Sequence, residues 1–276
     1  MTLVLCLRQI DLAGGMAADV LMVSEMEDGI LMKITKIDRL QQLAFMPGWF
    51  PVNCYLVEEE NGLTLIDAGM PFSVRGIQEA VRRTGKSLGR IVLTHAHSDH
   101  IGALQGLKRL LPEVPVLISE RDSRLLAGDV SLRPGEPQTP VKGGVPKRET
   151  VRPDVLLQEG DMIGSLRAVA SPGHTPGSMS FLDQRNGNLI VGDAFQTRGR
   201  VAVSGQLVPS FPFPAMATWS KELALASAVK LANLQPEWMA AGHGLMIQAP
   251  GEAMQAAIRD AKRRMGEVEA LMNTID

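Results

Sequence analysis

All five histidines of this 276-residue chain lie in three short segments that follow apolar runs. Residues 94–100 read Thr-His-Ala-His-Ser-Asp-His, His174 lies in Ser-Pro-Gly-His-Thr-Pro-Gly, and His243 lies in Ala-Gly-His-Gly. Imidazole nitrogen and carboxylate oxygen are ligands that zinc and related divalent metals take from proteins. A fold that uses this pattern must bring the ends of distant strands to one place, because loops at strand ends are where functional side chains converge.

The spacing inside residues 94–100 favours two metal ions over one. The first two histidines flank a single residue, so both rings can point to the same side of an extended segment. The aspartate and the third histidine follow as the chain turns toward a helix, and four side chains so close in sequence cannot easily reach one ion. Two ions about 3.5–4 Å apart can acidify a shared water into a nucleophile at neutral pH. The candidate metal ligands are His95, His97, Asp99, His100, His174, Asp193 and His243.

Alternating short apolar runs and amphipathic stretches indicate a mixture of strands and helices. Strands are expected at 32–45, 53–59, 63–67, 90–93, 114–118, 154–158, 165–170, 178–182, 188–192 and 238–240. Helices are expected at about 72–84, 102–110, 215–233 and 251–272, with irregular segments at 128–150 and 195–214. Two halves of this kind predict two sheets packed face to face with helices outside. Thr94 is interpreted as the end of a strand.

The chain divides, on this reading, into an N-terminal extension of uncertain structure at 1–31 and a single domain at 32–276. The formal net charge of −2 and a pI near 6.2 give no overall attraction to nucleic acid or an anionic membrane. Two cysteines, Cys6 and Cys54, cannot form a disulfide framework and suit a reducing compartment. With neither an export signal nor a long apolar segment visible, the sequence predicts a cytoplasmic protein.

The histidine run, with His174, Asp193 and His243 behind it, resembles the metallo-β-lactamase superfamily. The resemblance covers residues 32–250 and includes Leu-Ile-Asp-Ala-Gly at 65–69, which is similar to the superfamily's first motif. It implies an α/β fold, an αββα sandwich of two mixed sheets with helices outside. It also implies two zinc ions, one held by His95, His97 and His174, the other by Asp99, His100 and His243, with Asp193 bridging. Asp67 would orient a ligand histidine through a hydrogen bond, although an aspartate there is also ordinary turn chemistry.

The activity that this resemblance implies is dinuclear zinc-dependent hydrolysis, with a metal-bound hydroxide attacking the carbonyl of a small ester, lactone or thioester. Asp99 and Asp193 are the candidate catalytic carboxylates. Iron or manganese in place of zinc stays open. The alternatives are an iron-dependent enzyme similar to the sulfur dioxygenases, a phosphodiesterase, and a non-catalytic metal-binding member of the fold.

Two stretches are candidate walls of a substrate pocket, with ordinary loop packing as the alternative for both. The loop at 46–51 carries Trp49 and Phe50, and the irregular segment at 195–213 carries Phe195, Phe211 and Phe213. Apolar walls favour a small acyl substrate as the partner, rather than nucleic acid or a membrane, and association as a homodimer stays open. Lactonases of the superfamily use a tyrosine near the bridging aspartate, whereas the one tyrosine here, Tyr55, lies far upstream.

Overall fold

The computed structural model describes residues 4–11, 17–24, 32–147 and 151–272, with side chains described over 32–147 and 151–267. The chain forms two compact units. Unit 1 comprises residues 1–130, 144–158 and 242–244, and unit 2 comprises residues 131–143, 159–241 and 245–276. Each unit contains one large sheet together with helices, so the predicted α/β class with two mixed sheets is confirmed. The assignment of residues 32–276 to a single domain stays a prediction.

The sheet of unit 1 has its strands in the same order as the sequence. They are β1 (Val4–Asp11), β2 (Ala17–Ser24), β3 (Met32–Ile37), β4 (Leu40–Phe45), β5 (Val52–Glu59), β6 (Gly62–Ile66), β7 (Leu88–Val92), β8 (Val116–Ser119) and β9 (Val155–Leu157). Pairing is antiparallel from β1 to β6 and parallel from β6 to β9. Described segments of the N-terminal extension therefore add two strands to this sheet, and Cys6 lies in β1, outside the described side chains.

Among its described residues, unit 1 also contains four helices and a short 3-10 helix. The 3-10 helix is Pro71–Ser73, and the other helices are α1 (Val74–Thr84), α2 (Ser98–Ile101), α3 (Leu104–Leu110) and α4 (Glu120–Leu126). The strand predicted at 32–45 is two strands, because Asp38 adopts a positive φ of 50° and turns the chain between β3 and β4. Sequence reasoning also missed α4, although Ser119 caps it by accepting a hydrogen bond from the Asp122 N–H at 3.0 Å.

Unit 2 contains a six-stranded mixed sheet and a separate two-stranded ribbon. The sheet has the order β10 (Met162–Ile163), β11 (Leu166–Ala170), β12 (Met179–Asp183), β13 (Leu189–Gly192), β16 (Trp238–Ala241) and β17 (Ile247–Gln248), and the ribbon pairs β14 (Phe195–Gln196) with β15 (Ala202–Val203). Its helices are α5 (Phe213–Ala217), α6 (Lys221–Ala232) and α7 (Gly251–Met272). Apolar side chains of the sheet, the ribbon, α6 and α7 form one buried core, which includes Leu189, Phe195, Met239, Leu231 and Ile258.

The helix predicted at 215–233 is two helices, because the chain turns at residues 218–220. Ser220 takes an extended backbone conformation and accepts a hydrogen bond from the Leu223 N–H, which begins α6 there. The irregular segment predicted at 128–150 is confirmed over its described residues, which contain neither strand nor helix. Within the part of the chain that the structure describes, no helix has the length and apolar character needed to cross a lipid bilayer.

The loop after β6 is joined to the α2 region by short backbone hydrogen bonds. The Ala68 N–H donates to the His100 carbonyl and the Gly102 N–H donates to the Gly69 carbonyl, both at 2.6 Å. A Cβ atom on Gly102 would lie 2.6 Å from the Pro71 nitrogen and 2.7 Å from the Gly69 oxygen, which are backbone atoms that cannot rotate away. Only glycine therefore fits this approach.

Replacing Gly102 with alanine is expected to lower the free energy of unfolding by about 2–3 kcal/mol, since the added methyl group forces the backbone apart. Urea denaturation measures the effect. The matched control is Gly251→Ala, because a Cβ atom there meets nothing within 4 Å. Equal stability of the two variants would contradict the close approach.

Candidate metal centre

Unit 1 gathers the histidine run and His243 around the end of β7. The ring centroid of His95 lies 4.8 Å from that of His97 and 4.1 Å from that of His100. Asp99 Oδ2 lies 3.5 Å from His243 Nε2 and 3.9 Å from His100 Nε2. Asp99, His100 and His243 each offer one ligand atom, and these three atoms lie within 4.8 Å of one another. Residues more than 140 positions apart in the sequence thus form one cluster of metal-binding groups.

Asp67 orients two of these histidines through hydrogen bonds, His100 directly and His95 through Thr94. It is buried and has a positive φ of 61°, a conformation that aspartate tolerates better than most residues. Its Oδ1 accepts a hydrogen bond from the Thr94 N–H at 2.7 Å, and its Oδ2 accepts from the Thr94 hydroxyl at 2.8 Å. The same Oδ2 lies 2.8 Å from His100 Nδ1. A carboxylate can only accept here, so His100 carries its proton on Nδ1 and keeps a lone pair on Nε2.

Thr94 extends this arrangement to His95, a role that sequence reasoning missed. Thr94 Oγ1 lies 2.9 Å from His95 Nδ1. Because the one hydroxyl proton of Thr94 already goes to Asp67, Thr94 must accept the Nδ1 proton of His95. His95 is therefore fixed in the same tautomer as His100, with its proton on Nδ1 and its Nε2 available as a ligand. A threonine at a strand end looks ordinary in sequence, and only the fold places Asp67 beside it.

Asp122 supports the backbone of the run. This fully buried residue of α4 accepts a hydrogen bond from the Ala96 N–H at 3.1 Å, between the first two histidines. Sequence reasoning missed it together with its helix. The signal that would have found both is the series Ser-Glu-Arg-Asp at 119–122, since serine followed three residues later by an acid is typical of a helix start.

His243 is oriented by the loop at 46–51. Its Nδ1 lies 2.6 Å from the carbonyl oxygen of Pro51, which can only accept, so Nδ1 carries the proton and Nε2 faces Asp99. The ring of Phe50 packs edge-on against that of His243, with centroids 5.8 Å apart. The tip of the same loop leaves Trp49 81% exposed. The loop expected to flank the site does contact one of its histidines.

A buried set of polar side chains holds the segment that carries His243. The side-chain amides of Gln42 and Asn53 each donate to the carbonyl of Gly244 at 2.8 Å, and the Asn53 backbone N–H donates to the Gly242 carbonyl at 2.9 Å. Both amides also lie within 3.4 Å of the Tyr55 hydroxyl oxygen, which accepts from them. Burial raises the pKa of Tyr55 well above its ordinary value. Tyr55 is thus a neutral buried group that helps to hold the segment carrying His243.

Unit 2 brings together the other two predicted ligands. His174 Nε2 lies 3.3 Å from Asp193 Oδ2, and both side chains are buried. His174 follows Gly173, whose φ is 141°, and a Cβ atom on that glycine would collide with the backbone of Ala224 in α6. The glycine therefore lets the His174 loop lie directly against the helix.

The aromatic residues proposed for a pocket wall differ in their surroundings. Phe195 is fully buried in the core of unit 2, because its pairing with Val203 in the ribbon directs the ring inward. Phe211 is also buried, and its ring lies 5.3 Å from that of Phe213, which is half-exposed. Among the five candidates, Trp49, Phe50 and Phe213 are the ones with surface to offer a ligand.

The donor set fits divalent metal ions of the zinc type. Neutral imidazole offers one lone pair, and hydrogen bonds from Nδ1 to fixed acceptors leave Nε2 as the ligand atom of His95, His100 and His243. Carboxylates next to such nitrogens supply the oxygen ligands that the same metals accept.

Comparisons with known proteins agree with this chemistry. The model of the metallo-beta-lactamase superfamily matches residues 47–243. The uncharacterized protein YobT of Bacillus subtilis is 58% identical over 84% of this chain and all of its own length. The probable metallo-hydrolase YflN of Bacillus subtilis is 31% identical over 78% of this chain and 88% of its own.

A more distant relative is an atrochrysone carboxyl ACP thioesterase of Aspergillus fumigatus, 26% identical over 79% of this chain and 44% of its own. Among solved structures, TTHA1623 in a di-iron-bound form is 29% identical, with a TM-score of 0.54 over 75% of this chain and 94% of that one. The family match spans most of the chain, from the Trp49 loop to His243, and includes every predicted metal ligand. The chain belongs to the metallo-beta-lactamase superfamily.

Proposed function

We propose that this protein is a hydrolase that binds two divalent metal ions, zinc foremost, and cleaves a small ester, lactone or thioester. The observation that carries the proposal is the set of histidines whose Nδ1 atoms are fixed by acceptors, which leaves Nε2 atoms beside the carboxylate of Asp99. His95, His97 and His174 would hold one ion, Asp99, His100 and His243 would hold the other, and Asp193 would be a ligand shared by both.

The names of two relatives support hydrolysis at a carbonyl group. One is a probable metallo-hydrolase, and the other is a thioesterase, which cleaves an acyl–sulfur bond. The proposal assigns every histidine to a metal ion, which leaves none to activate a serine, so water is the proposed nucleophile. When bound, two divalent ions lower the pKa of a water molecule and polarise the substrate carbonyl.

Asp99 is the residue best placed to handle the proton. Its side chain is 23% exposed, whereas those of His100 and His243 are at most 2% exposed. A carboxylate that reaches both the ligand cluster and solvent can accept a proton from the attacking water and pass it to the leaving group. Asp193 is buried beside His174 and acts as a fixed negative charge.

Trp49 and Phe50 would form the apolar wall against the acyl part of the substrate. Phe50 already contacts His243, and Trp49 continues the same loop outward with its ring 6.5 Å from that of Phe50. Two neighbouring aromatic side chains beside a proposed metal ligand can bury the apolar part of a bound substrate.

Metal analysis followed by a substrate panel tests the proposal. Purified protein is expected to hold about two zinc ions per chain and to hydrolyse a member of a panel of lactones, esters and thioesters. Removal of the metal with a chelator should abolish turnover, and zinc should restore it. Iron with oxygen consumption, a phosphodiester as the best substrate, or a metal-loaded protein without activity would each contradict the proposal.

Replacing Trp49 with alanine is expected to raise KM for the best acyl substrate about tenfold, with kcat and metal content nearly unchanged. The reason is that burying a large apolar side chain on a ligand is worth roughly 1.5–3 kcal/mol. Steady-state kinetics measures the effect, and Leu110→Ala, which removes another exposed apolar side chain from α3, is the control. An unchanged KM would show that this loop does not bind substrate.

A further inference from the structure

His174 is held by two buried hydroxyl groups, one from a residue that precedes α5 in the sequence and one from the residue that follows it. Its Nδ1 lies 3.0 Å from Ser204 Oγ, just after β15, and 3.3 Å from Thr218 Oγ1, at the end of α5. The two hydroxyl oxygens lie 2.8 Å apart, and the Thr218 hydroxyl donates to the Pro214 carbonyl at 2.7 Å. All three side chains are at most 4% exposed.

The number of available protons determines the direction of each hydrogen bond. The single hydroxyl proton of Thr218 goes to Pro214, because a carbonyl oxygen can only accept. The bond between the two hydroxyls must then use the proton of Ser204. Ser204 has no second proton for His174, so the bond between them uses a proton on His174 Nδ1. The chain of bonds therefore runs from His174 to Ser204, to Thr218 and to the carbonyl of Pro214.

We infer that Ser204 and Thr218 are positioning residues that fix His174 with its proton on Nδ1 and its lone pair on Nε2. The inference rests on the proposed function, since it concerns the use of Nε2 as a metal ligand. Nε2 is the atom that lies 3.3 Å from Asp193. The segment at 195–214 was predicted to be irregular, but it contains the ribbon of β14 and β15 and the start of α5. It thus contributes an orienting hydroxyl, in addition to any contact with substrate.

The backbone around His174 is held by the same turn that carries Thr218. The Trp219 N–H donates to the His174 carbonyl at 3.0 Å, and the Ser220 N–H donates to the Gly173 carbonyl at 2.9 Å. The interruption between α5 and α6 thus supplies two backbone donors and one side-chain oxygen to a single histidine. This explains why the helix predicted through residues 215–233 is broken where it is.

The test measures the tautomer of His174 directly in metal-free protein. Long-range proton–nitrogen NMR at about pH 8, where imidazole is neutral, distinguishes a proton on Nδ1 from one on Nε2. The wild type is expected to show Nδ1–H. Thr218→Val removes the acceptor of the Ser204 hydroxyl with little change of shape and should give a mixture of the two forms, as should Ser204→Ala. Thr218→Ser keeps the hydroxyl and should restore the wild-type form.

Zinc affinity gives the second measurement. Competition with a chromophoric chelator should show that one zinc equivalent binds about 10–100-fold more weakly in Thr218→Val, as is usual when a partner of a ligand histidine is lost. Ser180→Ala is the matched control, because Ser180 is an equally buried hydroxyl in unit 2 whose partner at 2.9 Å is Ser171. It should leave both measurements unchanged.

An Nε2–H tautomer in the wild type, or an Nδ1–H tautomer that persists in both Thr218→Val and Ser204→Ala, would overturn the inference. Equal weakening of zinc binding by Ser180→Ala would also overturn it, because the effect would then be general destabilisation. A wild type with the Nδ1–H form that binds no zinc would contradict the proposed function and would still support the orienting role of the hydroxyls.

Discussion

Replacing Asp99 with asparagine is expected to lower kcat about 10²–10⁴-fold on the best acyl substrate, the range that general acid–base groups supply. Asparagine keeps the size of the side chain and removes the charge and the proton acceptor. Asp99 combines contact with the ligand cluster, 3.5 Å from His243 Nε2, with partial exposure to solvent. The loss should therefore appear mainly in kcat, because the proton is transferred in the transition state.

Loss of metal would produce a similar fall, so zinc content has to be measured on the same sample. Glu60→Gln serves as the control for charge alone, because Glu60 lies on the exposed turn between β5 and β6. Activity close to that of the wild type at full zinc occupancy would exclude Asp99 from proton transfer.

The second large effect is expected from Asp67→Asn, in metal binding rather than in proton transfer. Asparagine tolerates the positive φ of 61°, so the backbone can persist. Its oxygen must face the Thr94 N–H, which places the NH₂ group where Oδ2 accepted from His100. Two donors would then face each other unless His100 moves its proton to Nε2, the ligand atom. We expect zinc affinity to fall about 10–100-fold or more.

Asp67→Ala should add a loss of fold stability of roughly 3 kcal/mol, because it leaves the buried Thr94 N–H without its acceptor and puts alanine in a left-handed conformation. The control is Asp183→Asn, which neutralises a buried carboxylate in unit 2 bound to Arg185 at 2.6 Å. That control should lower stability and leave zinc binding intact. If Asp67→Asn binds zinc as the wild type does, Asp67 does not fix the proton of His100.

The proposed metal ligands can be predicted from the sequence because they are recognised by residue type and by their order along the chain. Histidines are rare here, and each follows a strand, so the sequence alone predicts that the loops carrying them serve one purpose. The orienting residues were not predictable in the same way. Thr94, Ser204 and Thr218 are ordinary hydroxyl residues, and their importance depends on which side chain the fold places within 3 Å of them.

Local rules also explain where the predicted elements were wrong. The turn at Asp38 contains neither glycine nor proline, so the apolar alternation of β3 and β4 looked continuous. The sequence predicts a continuous helix through residues 218–220 because each of these residues is moderately favourable in a helix. There the hydrogen bonds from Trp219 and Ser220 to the His174 loop outweigh local preference. Tertiary contacts decide such positions, because intrinsic helix preference amounts to less than about 1 kcal/mol per residue.

The segment at 242–244 has a consequence for dissecting the protein. It belongs to unit 1, although the residues on both sides of it belong to unit 2. A fragment that ends anywhere before residue 242 would therefore remove His243 and, with it, the carbonyl that the amides of Gln42 and Asn53 share. The two buried amides would each lose one acceptor and keep the other, the Tyr55 hydroxyl oxygen. No single cut of the chain therefore yields a complete first unit.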